Sequence, residues 1–321
     1  LIGLMEGVED IPGAALSEGI AWEWETFPEY LDALERRRWT VDVGTQIAHG
    51  AVRAYVMGDR GARNEPASAD DVAAMGAVVE EAVRAGALGV STSRTIAHLA
   101  IDGEPVPGTY AAEDELFGIG RALARAGAGV FELAPAGVAG EDVVAARTEV
   151  EWMRRLAEEI GRPVSFALLQ VDPEPDLWRD LFAVSAEACA AGASLHPQVA
   201  GRPTGMLAGL DTTYCLLSDV PAYRPLADLP RDERLAALRD PATRARILDG
   251  PRPDDVQAAL EASYDRFFVL GDPPDYEPGP EASLATVAAS RGLDPLEVAY
   301  DTFCADDGTG LLYLPILNYS E

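Results

Sequence analysis

The sequence predicts an α/β protein built on a parallel sheet. Three observations carry this expectation. Short apolar runs alternate with longer amphipathic ones, and the unit recurs at roughly 30 to 45 residues, the size of a βα unit. Gly86, Gly127, Gly161 and Gly192 each follow a helical run, where a left-handed helix end favours glycine. Hydroxyls, amides, arginines and histidines gather just after the apolar runs, where the carboxyl ends of parallel strands bind ligands. Several such units in succession fit a (β/α)8 barrel or an open doubly wound sheet. No GxGxxG opens a helix after the first strand, which argues against a dinucleotide fold.

In chain order, residues 1–40 concentrate aromatics (Trp22, Trp24, Phe27, Tyr30, Trp39), which read as a core or interface patch. Strands are expected at 41–47, 88–91, 129–133, 163–170 and 193–199, as buried apolar runs bounded by polar or glycine residues. Between them, helices are expected at 69–85, 111–126, 141–160 and 177–191. Ser68 ahead of Asp70 and Asp71 suits a helix N-terminus and its dipole. Residues 200–280 are rich in Pro and Arg and read as an excursion over the barrel mouth. Within and beyond it, helices are expected at 231–248, 283–291 and 295–304, and strands at 267–270 and 311–317, with GDPPDYEPGP (271–280) as a loop.

The 321 residues can bury a large core, and 48% of them are hydrophobic. A net charge of −29 argues against nucleic acid as a partner, because phosphates would be repelled. No run approaches the roughly 18 apolar residues of a membrane span. All 25 basic residues are Arg. This reads as base-composition bias, with salt adaptation the alternative. Cys189, Cys215 and Cys304 are too few and too scattered for a disulfide framework or a zinc knuckle, which suits reduced thiols and a cytoplasmic protein. The opening LIGLMEGVED has neither an initiator Met nor a basic n-region. Together with the apolar close LLYLPILNYSE, it is expected to belong to the interior of a longer reading frame.

Candidate chemistry clusters at strand ends. His49-Gly50, with Arg53, follows the first strand; a hydrogen-bonded structural histidine is the alternative. Ser91, Thr92, Ser93 and Arg94, with His98 beyond, suit recognition of a carboxylate or oxyanion. Hydroxyls that merely cap the loop, or a serine nucleophile, are the alternatives. Glu132 and Gln170 are polar residues inside or ending apolar runs, where a carboxylate must pair, bind metal or shift its pKa; an internal hydrogen bond is the alternative. Gln198 and Arg202, in LHPQVAGRP, could grip an acyl or carboxylate group.

Taken together, His49-Gly50 with Arg53, GALGVSTSR (86–94), PVPGTYAAEDEL (105–116), PQVAGRP (197–203) and LLYLPILNYS (311–320) resemble the N-acyl-D-amino-acid deacylase branch of the amidohydrolases, amidohydrolase family 3. The resemblance implies that residues 1–321 are the central part of one metal-dependent amidohydrolase barrel, a partial (β/α)8 barrel. It implies a hydrolase that cleaves the amide of N-acyl amino acids with metal-activated water. Zinc or another divalent metal would be the cofactor and an acyl amino acid the small-molecule partner, and a homo-oligomer is compatible with this reading. The family's His-x-His and its proton-shuttling Asp would fall outside this chain, so the fragment itself is expected to be inactive. Two further metal-binding histidines would match Glu132 and Gln170. On this reading Glu132 and His49 are the catalytic candidates. Ser93, Arg94, His98, Gln170, Gln198 and Arg202 are the substrate-binding ones. A metal-free barrel that binds acyl amino acids, and a cyclic-amide amidohydrolase, are the alternatives.

Overall fold

The computed structural model describes residues 2–9, 11–212, 214–218 and 220–319; the resemblance segment 311–320 ends on Ser320, outside the described residues. Two compact units divide the chain, Leu1–Val199 and Ala200–Glu321.

The first unit opens with helices α1 (Ile2–Glu9), α2 (Gly13–Gly19) and α3 (Phe27–Glu35). In α3, Thr26 and Glu29 form a reciprocal capping box, and Trp24 and Phe27 pack against Tyr30. The aromatic patch is therefore largely local helix packing. Strand β1 (Ile47–Ala48) runs directly into α4 (His49–Met57), followed by α5 (Asp59–Ala62) and α6 (Ala69–Ala85). Ser68 caps α6 as expected, with Asp71 closing the box. Then come β2 (Gly89–Ser93), α7 (Glu113–Ala126), β3 (Val130–Ala134), α8 (Val143–Ile160), β4 (Val164–Ala167), α9 (Leu177–Ala190) and β5 (Leu195–Gln198). The four glycines singled out in the sequence all have positive φ.

The five strands are parallel, in the order β1-β2-β3-β4-β5. This strictly sequential order, without the reversal of a doubly wound sheet, is that of a (β/α)8 barrel, of which the chain builds part. Register sorts the side chains onto two faces. One in-register row is Ile47, Val90, Phe131, Val164 and Leu195, all buried against the helices. Each such side chain contributes about 1.5–3 kcal/mol. Phe131 meets Trp152 of α8 edge to face at 6.3 Å. The adjacent row, on the opposite face, is Ala48, Ser91, Glu132, Ser165 and His196. The inner face of the partial barrel is thus polar where the outer face is apolar. Gly89 makes the β2–β3 approach possible: its φ is +147°, and a Cβ there would lie 1.9 Å from the Val130 carbonyl oxygen.

Two expectations for this unit need correction. The strand expected at 41–47 shortens to Ile47–Ala48, although Leu88 N–H still bonds the Thr45 carbonyl. Val41 and Val43 are exposed, and Leu88 occupies the space above Gly44, so the run is not the buried strand its apolarity suggested. The strand expected at 163–170 ends at Ala167.

The second unit holds β6 (Thr204–Ala208), α10 (Arg224–Ala227), α11 (Arg231–Leu238), α12 (Pro241–Asp249), α13 (Asp254–Ser263), β7 (Phe268–Val269), α14 (Leu284–Arg291), α15 (Pro295–Cys304) and β8 (Leu312–Leu317). The expected strands at 267–270 and 311–317 form, but in a separate antiparallel sheet ordered β6-β8-β7 rather than in βα repeats. The single helix expected at 231–248 is two: Asp240 accepts the Thr243 N–H as an N-cap and Pro241 starts a new helix. Leu217, Leu238, Ile247, Phe267, Leu284 and Phe303 are among its core residues.

Candidate active site

All five strands of the first unit end at the same edge of the sheet, so the loops that follow them form one mouth. Near that edge, Ser91, Glu132, Ala134, Ala167 and Gln198, with Thr92 and Leu133, line a cavity of about 190 Å³. Among the described residues, Glu132 is its one acidic lining residue. Because the neighbouring positions on β3, Phe131 and Leu133, point outward to the helices, Glu132 points onto the polar inner face and is exposed. Gln46, just before β1, donates from Nε2 to Glu132 Oε2 at 2.6 Å. No bond to the other carboxylate oxygen is formed among the described residues, which leaves it open toward the cavity.

Of the residues predicted from sequence, Glu132 and Gln198 share this cavity. Ser93, on the same face of β2 as Ser91, lies 2.8 Å from His98 Nδ1 through its Oγ. Arg94 is engaged elsewhere. Its Nε donates to both Glu149 oxygens at 3.0 and 2.8 Å, its Nη1 donates to the Ala111 carbonyl, and its guanidinium lies over Trp152. Gln170, beyond the end of β4, donates to the Pro175 carbonyl at 3.3 Å. Arg202 belongs to the second unit and donates to the Pro203 carbonyl.

His49 lies on the helix side of β2, only 1% exposed. Its Nε2 is 2.8 Å from Glu115 Oε1 and its Nδ1 is 2.8 Å from Thr92 Oγ1. Arg53 Nη1 donates to both Glu115 oxygens, and Arg53 Nη2 donates to the Glu65 carbonyl at 2.6 Å. Burial pushes the His49 imidazole below its ordinary value of 6.5, against the opposing pull of Glu115. Burial would raise Glu115, but hydrogen bonds from His49 and Arg53 and the charge of Arg53 outweigh it and hold the carboxyl below 4.5.

These shifts fix a pH dependence. Below about pH 6.5 the unfolded chain protonates His49 while the folded chain does not, so stability falls on acidification toward the folded pKa. The Glu115 contribution is present above 4.5 and is lost as pH falls through its lower folded value. Between about pH 7 and 5, the unfolding free energy of the wild type should therefore decline more steeply than that of His49→Gln. The slopes should differ by up to about 1.4 kcal/mol per pH unit. Parallel slopes in equilibrium urea unfolding would contradict this.

Sequence reasoning did not find Gln46, Ser165 or Glu115. Reading the runs STS, FEL, SFA and LHPQ with period two would have aligned Ser91, Glu132, Ser165 and His196 on one face. Glu115 carried no local signal, because its partners are 62 and 66 positions away. Among the described residues no three His, Cys, Asp or Glu side chains converge to hold a metal ion. A divalent cation therefore finds no complete ligand set among the described residues.

The model of a family described as the amidohydrolase family matches residues 1–308. The chain belongs to the amidohydrolase family. It is 30% identical over 307 residues to the D-aminoacylase of Alcaligenes xylosoxydans xylosoxydans, covering 88% of this chain and 59% of that protein. The chain thus spans about three fifths of that relative's length. Among solved structures, it is similar to a D-aminoacylase (19% identity, 91% of this chain and 47% of that one, TM-score 0.46). It is also similar to the N-acyl-D-glutamate deacylase of Bordetella bronchiseptica, complexed with zinc and a phosphonate inhibitor (18%, 91% and 47%, TM-score 0.47).

Proposed function

We propose that the whole protein hydrolyses the amide bond of N-acyl amino acids, N-acyl-D-amino acids in particular. Family membership and the D-aminoacylase relative support the reaction class. The observation that carries the reading within the chain is Glu132, a carboxylate on the polar inner face with one oxygen held by Gln46 and the other open to the mouth cavity.

In this reading Glu132 accepts a proton from the water that attacks the acyl carbonyl and returns it to the departing amine nitrogen. Ser91 and Gln198, on the same cavity, hydrogen-bond the substrate's polar groups. His98 and Ser93 border the mouth as a bonded pair. His49, buried behind β2, acts through Thr92 and does not touch substrate. Family membership supports a divalent cation, zinc among the candidates, in the whole protein. No helix among the described residues is long and apolar enough to cross a membrane, and we place the protein in the cytoplasm, which suits its three free cysteines.

The test is amine release by the complete gene product from paired N-acetyl-D- and N-acetyl-L-amino acids, with cyclic amides as comparison. Turnover of the D series supports the reading. Binding without release, or opening of cyclic amides alone, sinks it. The isolated 321-residue chain, spanning 59% of the relative's length, is expected to release no amine.

A further inference from the structure

Behind the mouth, on the helix side of β2, Arg53, Glu115 and His49 are almost fully buried, and Thr92, itself buried, joins them to the wall of the mouth cavity. They come from three elements, α4, α7 and β2, and form one chain of hydrogen bonds. The chain has a direction. Glu115, doubly engaged by Arg53, is a carboxylate and can only accept, so His49 Nε2 carries the hydrogen between them. His49 Nδ1 is then a bare acceptor, and the Thr92 hydroxyl donates to it.

The array is also clamped from outside. Asn64 Nδ2 donates to the Pro105 and Val106 carbonyls, and Asn64 Oδ1 accepts the Gly108 N–H at 2.8 Å. This lays the 105–108 loop against the imidazole. Gly108 has φ +103°, and a Cβ there would sit 3.0 Å from His49 Nδ1, so the loop can approach this closely only through glycine.

Apolar side chains would fill this space at least as stably, since a buried ion pair is seldom better than a hydrophobic core. What a hydrogen-bonded array adds is direction. Thr92 is flanked by Ser91, which lines the mouth cavity in register with Glu132, and by Ser93, which bonds His98. We infer that Arg53, Glu115 and His49 act through the Thr92 hydroxyl as a positioning device that fixes the carboxyl end of β2, and with it mouth-lining Ser91 and the Ser93–His98 pair, for the reaction. This rests on the amide-hydrolysis reading above.

The test compares Thr92→Val with Thr92→Ser in the complete gene product, measuring kcat, KM, melting temperature and amide hydrogen exchange. Valine keeps the shape and deletes the donor. Expected for Thr92→Val are a kcat lower by about tenfold or more, KM within about twofold, and faster exchange confined to residues 91–93; Thr92→Ser should restore kcat. An unchanged kcat, or a loss that serine does not rescue, overturns the inference. Should Thr92→Val fail to fold, Thr92→Ala, which also lacks the donor, replaces it under the same criteria. If the wild type turns over no N-acyl amino acid, the proposed function fails first. Hydrogen exchange then decides the positioning claim alone: unchanged exchange at 91–93 in Thr92→Val overturns it.

Discussion

Glu132→Gln is expected to lower kcat for N-acyl amino acid hydrolysis by about 10²–10⁴-fold, the range supplied by a positioned general base. The substitution is nearly isosteric, and the side chain is exposed on the inner face, so no core packing is lost. The neighbour is also accommodated: a carboxamide at position 132 can still accept the Gln46 Nε2–H through its oxygen. What disappears is the only acidic group among the described residues lining the mouth cavity, and with it the capacity to take a proton from water. Melting temperature should therefore stay within a few degrees of wild type while steady-state turnover collapses. A variant that keeps more than about a tenth of wild-type kcat would remove Glu132 from proton transfer.

The second large effect is on stability. Arg53→Met is expected to cost about 3–5 kcal/mol, because it leaves the Glu115 charge buried without its guanidinium partner. For a unit of this size that corresponds to a melting temperature lower by roughly 6–20 °C. The double variant Arg53→Met with Glu115→Leu should recover part of the loss. Replacing both charges removes the uncompensated one, although His49 Nε2 then lacks its acceptor. Thermal and urea unfolding of the two single variants and the double variant measure the coupling. A single-variant loss below about 1 kcal/mol would mean that Arg53 and Glu115 are replaceable by ordinary packing.

How much of this was legible before any coordinates follows the range of the forces involved. The βα repeat was readable because helix caps, C-terminal glycines and apolar periodicity are local: Ser68, Gly127 and Gly161 sit where a helix of that sequence must begin or end. The sheet of residues 200–321 was not. Its strands pair antiparallel across more than 40 positions, and apolar runs such as 311–317 look alike in either kind of sheet. Residues 41–46 misled because valine-rich composition signals a strand even where the side chains end up in solvent.

At the site, Glu132 stood out as a charge within the apolar run GVFELA, and the structure places it on the mouth cavity with Gln198. Arg94 was an attractive anion anchor from sequence because its partner Glu149 lies 55 positions away on α8 and gives no sign of itself nearby. The same distance problem hid the tie between His49 and Glu115, which turns a strand-end histidine into a buried one.

Where substrate sits is the most direct measure of Glu132's role, and a crystal structure of the complete gene product bearing Glu132→Gln with an N-acyl-D-amino acid bound shows it. The predicted result is a scissile carbonyl over the inner face of β2–β5, within about 3–4 Å of the residue 132 side chain or one water away from it. A ligand seated among the helices, or wholly within residues 200–321, would contradict it.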